Sequence, residues 1–136
     1  MLIKDKADEW REVKSVHSGE GKVLAWRFFQ EKVDAPMFLF ETIHEPGAYT
    51  GYHRHEGNEE IYYIVSGKAE YIQDGEKVIL GPGDATLVKS GGCHGIKNIG
   101  DGDLRILSFC AALKDGKLGS VDMPLPGSVA HWKKSQ

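Results

Sequence analysis

Short apolar stretches recur along the chain at intervals of about 8 to 12 residues, separated by glycine, proline, asparagine or aspartate. Two of them, residues 22–29 (KVLAWRFF) and 37–43 (MFLFETI), carry apolar side chains at both odd and even positions. Strands of this kind are either buried on both faces or lie at a contact between subunits. No stretch has the pattern of a long helix. The chain is therefore predicted to form an all-β sandwich or barrel of about ten short strands.

The clearest single turn is Asp74-Gly75, which separates the apolar stretches 68–73 and 76–80. A two-residue hairpin turn needs positive φ at its central residues, and Asp-Gly is one of the pairs that adopt it most readily. The sequence therefore predicts an antiparallel hairpin at this position.

The two ends of the chain are less regular. In residues 1–21, Trp10, Val13 and Val16 are spaced by three, which is compatible with a short helical turn or with a loose edge strand, and we leave both open. Residues 114–136 are rich in Gly, Pro and Lys, but they also contain large apolar side chains. We expect this tail to pack on the body of a single domain that comprises residues 1–136.

Composition excludes several functional classes. The net charge is −3 and the basic residues are scattered, which argues against a nucleic-acid partner. The N-terminus is charged and no apolar stretch is long enough to cross a bilayer, so we expect no membrane association. Only two cysteines are present, Cys93 and Cys110, and this favours free thiols in a cytoplasmic protein over a disulfide framework.

The residues with the strongest chemical implication lie between Gly47 and Gly67. On an extended strand, His53 and His55 project to the same side because side chains alternate. A short turn follows, and Glu60 then begins an apolar run that predicts the paired strand, so its carboxylate returns towards the two imidazoles.

His94, on a later strand, can supply a fourth ligand. Two histidines, a glutamate and a third histidine form a credible set for a divalent metal.

These residues resemble the two motifs of the cupin superfamily. The first motif is matched in full by Gly47, His53, His55, Glu60 and Gly67, and the second by Gly83, Gly91, His94 and Asn98. Lys89 stands where the family usually has a proline that stiffens the turn before the histidine strand, and Gly91-Gly92 can provide the same bend. The matched core spans residues 47–98.

The resemblance implies a jelly-roll barrel, also called a double-stranded β-helix, made of two antiparallel sheets. It also implies that His53, His55, Glu60 and His94 bind one divalent ion inside the barrel. Strand parity favours Glu60 over Glu59, whose side chain points to the opposite face. Ligands of this kind suit Mn, Fe, Ni, Co or Zn without selecting one.

Strand parity also identifies candidates for a catalytic role beside the ion. Counted from Glu60, Tyr62 faces inward, and Tyr71 and Gln73 take inward positions if the alignment with the family holds. Trp26 and Phe28, or their neighbours, are expected to close the wall of the barrel. By contrast, we interpret Cys93 as a packed thiol, and the remaining histidines, His17, His44 and His131, as surface or turn residues.

The functional hypothesis is a small metal-dependent enzyme acting on a carboxylate, a keto acid or a sugar derivative, as a dioxygenase, isomerase, decarboxylase or lyase. The alternative is a non-catalytic cupin that binds or senses a sugar or a small acid, and a weaker third possibility is a metal protein whose catalysis has lapsed. A small-molecule ligand and a homodimer, with residues 22–29 and 37–43 at the subunit contact, complete the expectations.

Overall fold

The computed structural model describes residues 1–3 and 9–134. Its strands are β1 (Arg11–Val13), β2 (Val23–Arg27), β3 (Met37–His44), β4 (Tyr49–His55), β5 (Asn58–Ser66), β6 (Ala69–Gln73), β7 (Glu76–Leu80), β8 (Ala85–Val88), β9 (Cys93–Asn98), β10 (Leu104–Ala112) and β11 (Ser120–Asp122). They form a six-stranded sheet in the order β1-β2-β3-β10-β5-β8 and a five-stranded sheet in the order β11-β4-β9-β6-β7. Every strand pair is antiparallel. The predicted all-β class with two antiparallel sheets is confirmed.

Alternation along the strands creates the interior between the two sheets. In β5, the even-numbered residues from Asn58 to Ile64 are buried, whereas Ile61, Tyr63 and Val65 are exposed on the other face. Apolar side chains from both sheets meet in one cluster, which consists of Tyr62, Ile64, Ala69, Tyr71, Leu80, Ile96, Leu104 and Ile106. Because side chains of opposite parity face outward, one strand supplies both the core and the surface.

The hairpin predicted at Asp74-Gly75 is present. Gln73 of β6 pairs with Glu76 of β7, so the turn contains two residues, and both have positive φ, 49° at Asp74 and 87° at Gly75. Backbone twist in this conformation matches the twist of the flanking strands.

The N-terminal arm contains both of the elements that the sequence left open. β1 is an edge strand paired with β2, and a tight turn follows at Val16–Ser18. His17 in this turn has a φ of 48°, a left-handed conformation that is uncommon outside glycine. The turn lies directly on β4, because a Cβ at Gly51 would collide with the carbonyl oxygen of His17.

The C-terminal segment packs against the outer face of the five-stranded sheet. A short 3-10 segment, Gly127–Trp132, places Val129 and Trp132 against Ile72 and the neighbouring tyrosines Tyr49 and Tyr52. The Trp132 indole donates a 2.8 Å hydrogen bond to Glu70. Both faces of this sheet are therefore covered near β6.

The sequence predicted that Trp26 and Phe28, or their neighbours, close the barrel wall. The structure places their neighbours on the inner face. Val23 and Ala25 of β2 line the interior, together with Phe38 and Phe40 of β3. Trp26 has the opposite parity, and its indole donates a 2.8 Å hydrogen bond to Glu9. Because both faces of β2 are apolar, the sequence alone could not assign its inner face.

Within the described part of the chain, no helix has both the length and the apolar character that a bilayer span requires.

Candidate metal centre

Four polar side chains meet in the interior where β4, β5 and β9 come together. His53, His55, Glu60 and His94 each offer a ligand atom, and these atoms lie within 4.8 Å of one another. His53 and His94 face each other across the β4–β9 pair. All four are nearly fully buried, with exposures of 5% or less. The structure thus brings together the four residues that the sequence nominated, while Glu59 lies on the opposite face of β5.

The ring orientation of the two β4 histidines is fixed by hydrogen-bond acceptors that face Nδ1, the ring nitrogen directed away from the centre of the cluster. His53 Nδ1 lies 2.8 Å from the carbonyl oxygen of Gly51, which can only accept a hydrogen bond. His55 Nδ1 lies 2.7 Å from Asn58 Oδ1. The Asn58 amide nitrogen donates to three backbone carbonyl groups, those of Glu56, Lys117 and Gly119, so its oxygen must face the ring. Each neutral ring therefore carries its proton on Nδ1 and presents a bare Nε2 to the centre.

His94 is held by a relay of side chains. Its Nδ1 lies 2.8 Å from the Tyr71 hydroxyl group, which donates its own proton to Gln73 Oε1 at 2.6 Å. The Gln73 amide nitrogen is committed to the carbonyl oxygen of Leu87 at 3.1 Å. His94 must therefore donate from Nδ1 to Tyr71, and its Nε2 also faces the centre without a proton. Tyr62 stacks on the same imidazole at 4.6 Å.

The three catalytic candidates lie beside the cluster and not within it. Tyr62 and Tyr71 both contact His94, and Gln73 fixes Tyr71. Burial raises the pKa of both tyrosines above its ordinary value, so neither is suited to give up a proton near neutral pH. Their geometry is that of residues that orient a metal ligand.

Glu60 completes the cluster as a carboxylate. Its Oε2 accepts a 2.7 Å hydrogen bond from Ser108, and its Oε1 lies 3.1 Å from His94 Nε2 and 3.2 Å from His55 Nε2. Burial raises the pKa of the Glu60 carboxyl, but hydrogen bonds and charge from His55 and His94, in the forms that carry a proton on Nε2, lower it well below its usual range. The group is therefore ionised across the physiological pH range.

Bare ring nitrogens and a carboxylate oxygen in such close contact fit a bound cation. His55 Nε2 and His94 Nε2 are only 3.1 Å apart, and the fixed outer hydrogen bonds leave both neutral rings with lone pairs directed into the same space. Lone pairs that face each other repel unless a positive charge lies between them. Nitrogen and oxygen donors in this number suit a divalent transition metal, so these residues form a potential metal site.

The protonation of the three histidines differs. Burial, reinforced by the neighbouring His94 and His17, lowers the pKa of His53 to about 2. Burial also lowers the pKa of His94 despite the opposing influence of Glu60. In His55 burial is outweighed by the hydrogen bond and charge of Glu60, and the pKa is raised. His55 is therefore the member of the cluster at which a proton would compete most effectively with a bound cation.

This difference predicts the pH dependence of metal affinity. Metal binding requires neutral imidazole, so affinity falls as the pH drops below the pKa of a ligand. Between pH 7.5 and pH 6.5 His53 and His94 are neutral because their pKa values are lowered, so only the raised pKa of His55 acts. We expect affinity to fall towards the lower pH by up to about tenfold, which corresponds to at most one proton displaced per ion. Competition calorimetry with zinc across this range measures the slope, and a slope of two or three protons would contradict the assignment.

The turn before His94 forms without the usual proline. Gly91 adopts a φ of 93°, and the Gly92 amide donates to the carbonyl oxygen of Lys89 at 2.9 Å. Hydrogen bonds between His55 and this loop tie it to β4, one from Gly91 at 2.7 Å and one to Gly92 at 2.9 Å. Glycine and cross-strand bonding thus provide the bend at this position.

One residue beside the cluster was not identified from the sequence. The ring of His17 stacks on His53 with a centroid distance of 3.7 Å and an angle of 13°, and its Nδ1 lies 2.9 Å from Asp122 Oδ1. The expectation of a surface or turn histidine located the turn but missed this contact. No local pattern signals it, because residues 17, 53 and 122 are distant along the chain.

Of the remaining sequence assignments, those of His131 and Cys93 agree with the structure and that of His44 does not. His131 is an exposed histidine, as expected, with a side-chain exposure of 65%. Cys93 packs against the C-terminal cluster, and burial raises the pKa of its thiol. The assignment of His44 to the surface was wrong, because this residue is only 2% exposed. Its backbone carbonyl accepts a hydrogen bond from Asn98, and its ring faces the interior side of β3.

An antiparallel two-sheet barrel that encloses three histidines and one glutamate defines a class of small β-barrel proteins with a potential metal site. A family model described as a cupin domain matches residues 40–110, about half of the chain. The chain belongs to the cupin family.

Its relatives have different descriptions. The oxalate-binding protein of Thermotoga maritima is 31% identical over 115 residues, which cover 83% of this chain and 95% of that protein. The pectin degradation protein KdgF of Dickeya dadantii is 33% identical over 57 residues, 42% of this chain and 52% of that protein. A crystal structure described as a predicted oxalate decarboxylase from Thermotoga maritima has a TM-score of 0.78 at 28% identity and covers 83% of this chain and 100% of that one.

The Tyr71 relay leads to a second prediction. Tyr71→Phe removes the acceptor for His94 Nδ1 while preserving the ring, and we expect metal affinity to fall by about 10- to 100-fold, as for other outer partners of metal ligands. Tyr63→Phe is the matched control, because Tyr63 lies on the exposed outer face of β5 and makes no contact with the cluster. Titration of both variants with zinc tests the relay, and equal affinities would exclude it.

Proposed function

We propose that this protein binds one divalent transition metal ion through His53, His55, Glu60 and His94, and that it is an enzyme acting on a small oxygenated molecule. The observation that carries the proposal is the set of fixed hydrogen bonds on the outer ring nitrogens, which directs three Nε2 lone pairs and the Glu60 carboxylate to one point. A divalent ion held there supplies a Lewis acid for a carbonyl, carboxylate or hydroxyl oxygen. Mn, Fe, Ni, Co and Zn all suit the ligand set.

An internal cavity beside the cluster supports a small-molecule substrate. It has a volume of about 270 Å³ and is lined by Glu60 and Ser108 on the side of the cluster. This is below the 300–1,000 Å³ that is usual for drug-sized ligands. Most of the lining is apolar and includes Tyr62, Ile96 and Ile106. A carboxylate, keto acid or sugar derivative of a few carbons is the size of molecule that fits.

Within this site several residues of the chain hold members of the cluster in position. Tyr62, Tyr71 and Gln73 hold His94 in position, and Ser108 holds Glu60. The His17–Asp122 pair lies against His53. We assign no proton transfer to it. The class of reaction among oxygenation, isomerisation, decarboxylation and lyase chemistry is left to the substrate screen below.

The second candidate function is ligand binding without turnover. It is favoured by the relative from Thermotoga maritima that is named an oxalate-binding protein. A sensor of a sugar or small acid would use the same cluster and the same cavity.

Metal analysis followed by a substrate screen separates these functions. Protein purified without chelators is analysed for metal content, reloaded with each candidate ion, and mixed aerobically and anaerobically with a panel of small acids and sugars. Turnover of one compound supports the enzyme, and saturable binding without turnover supports the binding protein. Failure to bind any divalent ion in stoichiometric amount would refute both.

We also propose a homodimer, with its contact on a different surface from the one that the sequence suggested. Exposed apolar side chains lie together on the outer face of β5, β8 and β10, where Ile61 pairs with Leu87 on one side and with Phe109 on the other. These three side chains are 37% to 45% exposed. Sedimentation equilibrium tests the assembly, and a monomer at micromolar concentration would refute it.

The cysteines support the proposal of a reducing, cytoplasmic compartment. Both Cys93 and Cys110 are free thiols, and Cys110 is buried within the barrel. Burial raises the pKa of the Cys110 thiol to about 12, so it is an inert packing group.

A further inference from the structure

His44 lines the cavity beside the cluster and has a buried ring nitrogen without a partner. The residue is 2% exposed and lines the cavity together with Thr42 and Phe40 of the same strand. Its Nε2 lies 2.8 Å from the hydroxyl group of Thr50. Its Nδ1 is buried and has no hydrogen-bond partner within residues 1–3 and 9–134. A buried polar atom of this kind costs stability unless a partner reaches it.

This nitrogen lies at the far end of the cavity from the cluster. In the β3–β10 pair, Phe40 lies opposite Ser108, which bonds to Glu60, and His44 lies opposite Leu104. The two levels are four residues apart on β3, whereas Thr50 lies opposite Ile96, two residues from His94 on β9. The separation is therefore roughly 7 to 13 Å at about 3.3 Å per residue. The cavity therefore has a metal-side end at Glu60 and Ser108 and a second polar end at His44 and Thr50.

The second end is polar but uncharged. Burial lowers the pKa of His44 to about 4, so the imidazole is neutral near pH 7. Thr50 can donate to Nε2 or accept from it, so Nδ1 can serve as an acceptor or a donor. The described residues that line the cavity include no lysine or arginine, and the other histidine among them, His17, is already paired with Asp122. A carboxylate at this end would be buried without a counter-charge, which is costly.

We propose that His44 determines substrate specificity: it binds the far end of a small elongated ligand whose oxygen atoms are held at the His53–His55–Glu60–His94 cluster, and that far end is an uncharged hydroxyl group on an apolar chain. A hydroxyl group both donates and accepts, so it satisfies either state of the His44–Thr50 pair. The inference rests on the proposed metal site and adds the chemistry of the opposite end. It excludes dicarboxylates that extend a second carboxylate towards His44.

Three five-carbon 2-oxo acids with different ends test this. Zinc-loaded protein is titrated by calorimetry with 2-oxopentanoate, 5-hydroxy-2-oxopentanoate and 2-oxoglutarate, which end in a methyl, a hydroxyl and a carboxylate group. We expect the hydroxyl compound to bind about fivefold more tightly than the methyl compound, the usual gain from one hydrogen bond. The dicarboxylate is expected to bind more weakly than both. In His44→Phe the advantage of the hydroxyl compound should disappear while the methyl compound still binds.

A second readout uses the wild-type protein alone. The ¹⁵N resonance of His44 Nδ1 should shift when the hydroxyl compound is added and not when the methyl compound is added. An unchanged resonance would show that ordered water already satisfies this nitrogen, and would overturn the proposal. Equal affinities for the two compounds, a hydroxyl advantage that persists in His44→Phe, or tighter binding of 2-oxoglutarate would overturn it as well.

These outcomes are distinct from failure of the metal site. If zinc and 2-oxopentanoate bind but the terminal group has no effect, the role of His44 is wrong and the proposed function stands. If zinc does not bind, both are wrong.

Discussion

Replacing His94 with alanine is expected to abolish stoichiometric metal binding. The imidazole is fully buried, and its Nε2 lies 3.1 Å from both Glu60 Oε1 and His55 Nε2, so no other side chain can move into its place without disturbing the cluster. We expect affinity to fall by more than the roughly 10- to 100-fold that loss of an outer partner costs. Metal analysis of the purified variant, and any turnover found for the wild-type protein, should both fall to background.

Thermal unfolding with and without zinc provides an independent measurement. A ligand that binds only the folded state stabilises it by about 2.7 kcal/mol at a concentration one hundred times the dissociation constant. Wild-type protein should gain stability on this scale, and His94→Ala should gain none. Stabilisation of the variant equal to that of the wild type would refute the role of His94.

Two other histidines provide the controls. His131→Ala removes an exposed imidazole, and His44→Phe removes a buried one that lies outside the cluster. Both variants should retain one metal ion per chain. Loss of metal in His44→Phe would show that any change in the interior disrupts the site, and the result for His94 would then carry no information about coordination.

Much of the cluster was accessible from local sequence rules. Alternation along a strand places His53 and His55 on one face and selects Glu60 over its neighbour Glu59, and the structure has this parity. The same rule applied to β3 would have placed His44 on the face shared by Phe38 and Phe40. Interpreting His44 as a surface or turn histidine leaves this rule unused.

Other contacts could not be derived from the sequence. His17 reaches His53 because three residues of its turn have left-handed backbone conformations and because Gly51 lets the turn lie directly on β4. Neither requirement is visible in the sequence of the N-terminal arm. Trp26 and Phe28 illustrate a different limit. When both faces of a strand are apolar, parity gives two equivalent answers, and only the packing of the whole chain decides between them.

His44 is also expected to make the protein sensitive to acid in a window that begins above the range in which carboxylates titrate. Its pKa is lowered by burial from 6.5 to about 4, so above pH 6.5 it is neutral in both states and its contribution to stability is fully present. As the pH falls from 6.5 towards 4, only the unfolded chain takes up the proton, and stability decreases by about 1.4 kcal/mol per pH unit, to a total of roughly 3 kcal/mol.

The difference between two proteins isolates this term. Urea unfolding of wild-type protein and His44→Phe is measured with chelator present at pH 7, 6 and 5. The three histidines of the cluster titrate in both proteins, so their contributions cancel in the difference. We expect the wild-type protein to lose about 1.4 kcal/mol more than the variant between pH 6 and pH 5. Parallel curves would show that His44 is protonated in the folded state, and an imidazole that is charged at pH 5 would not be the neutral, buried group that the cavity requires.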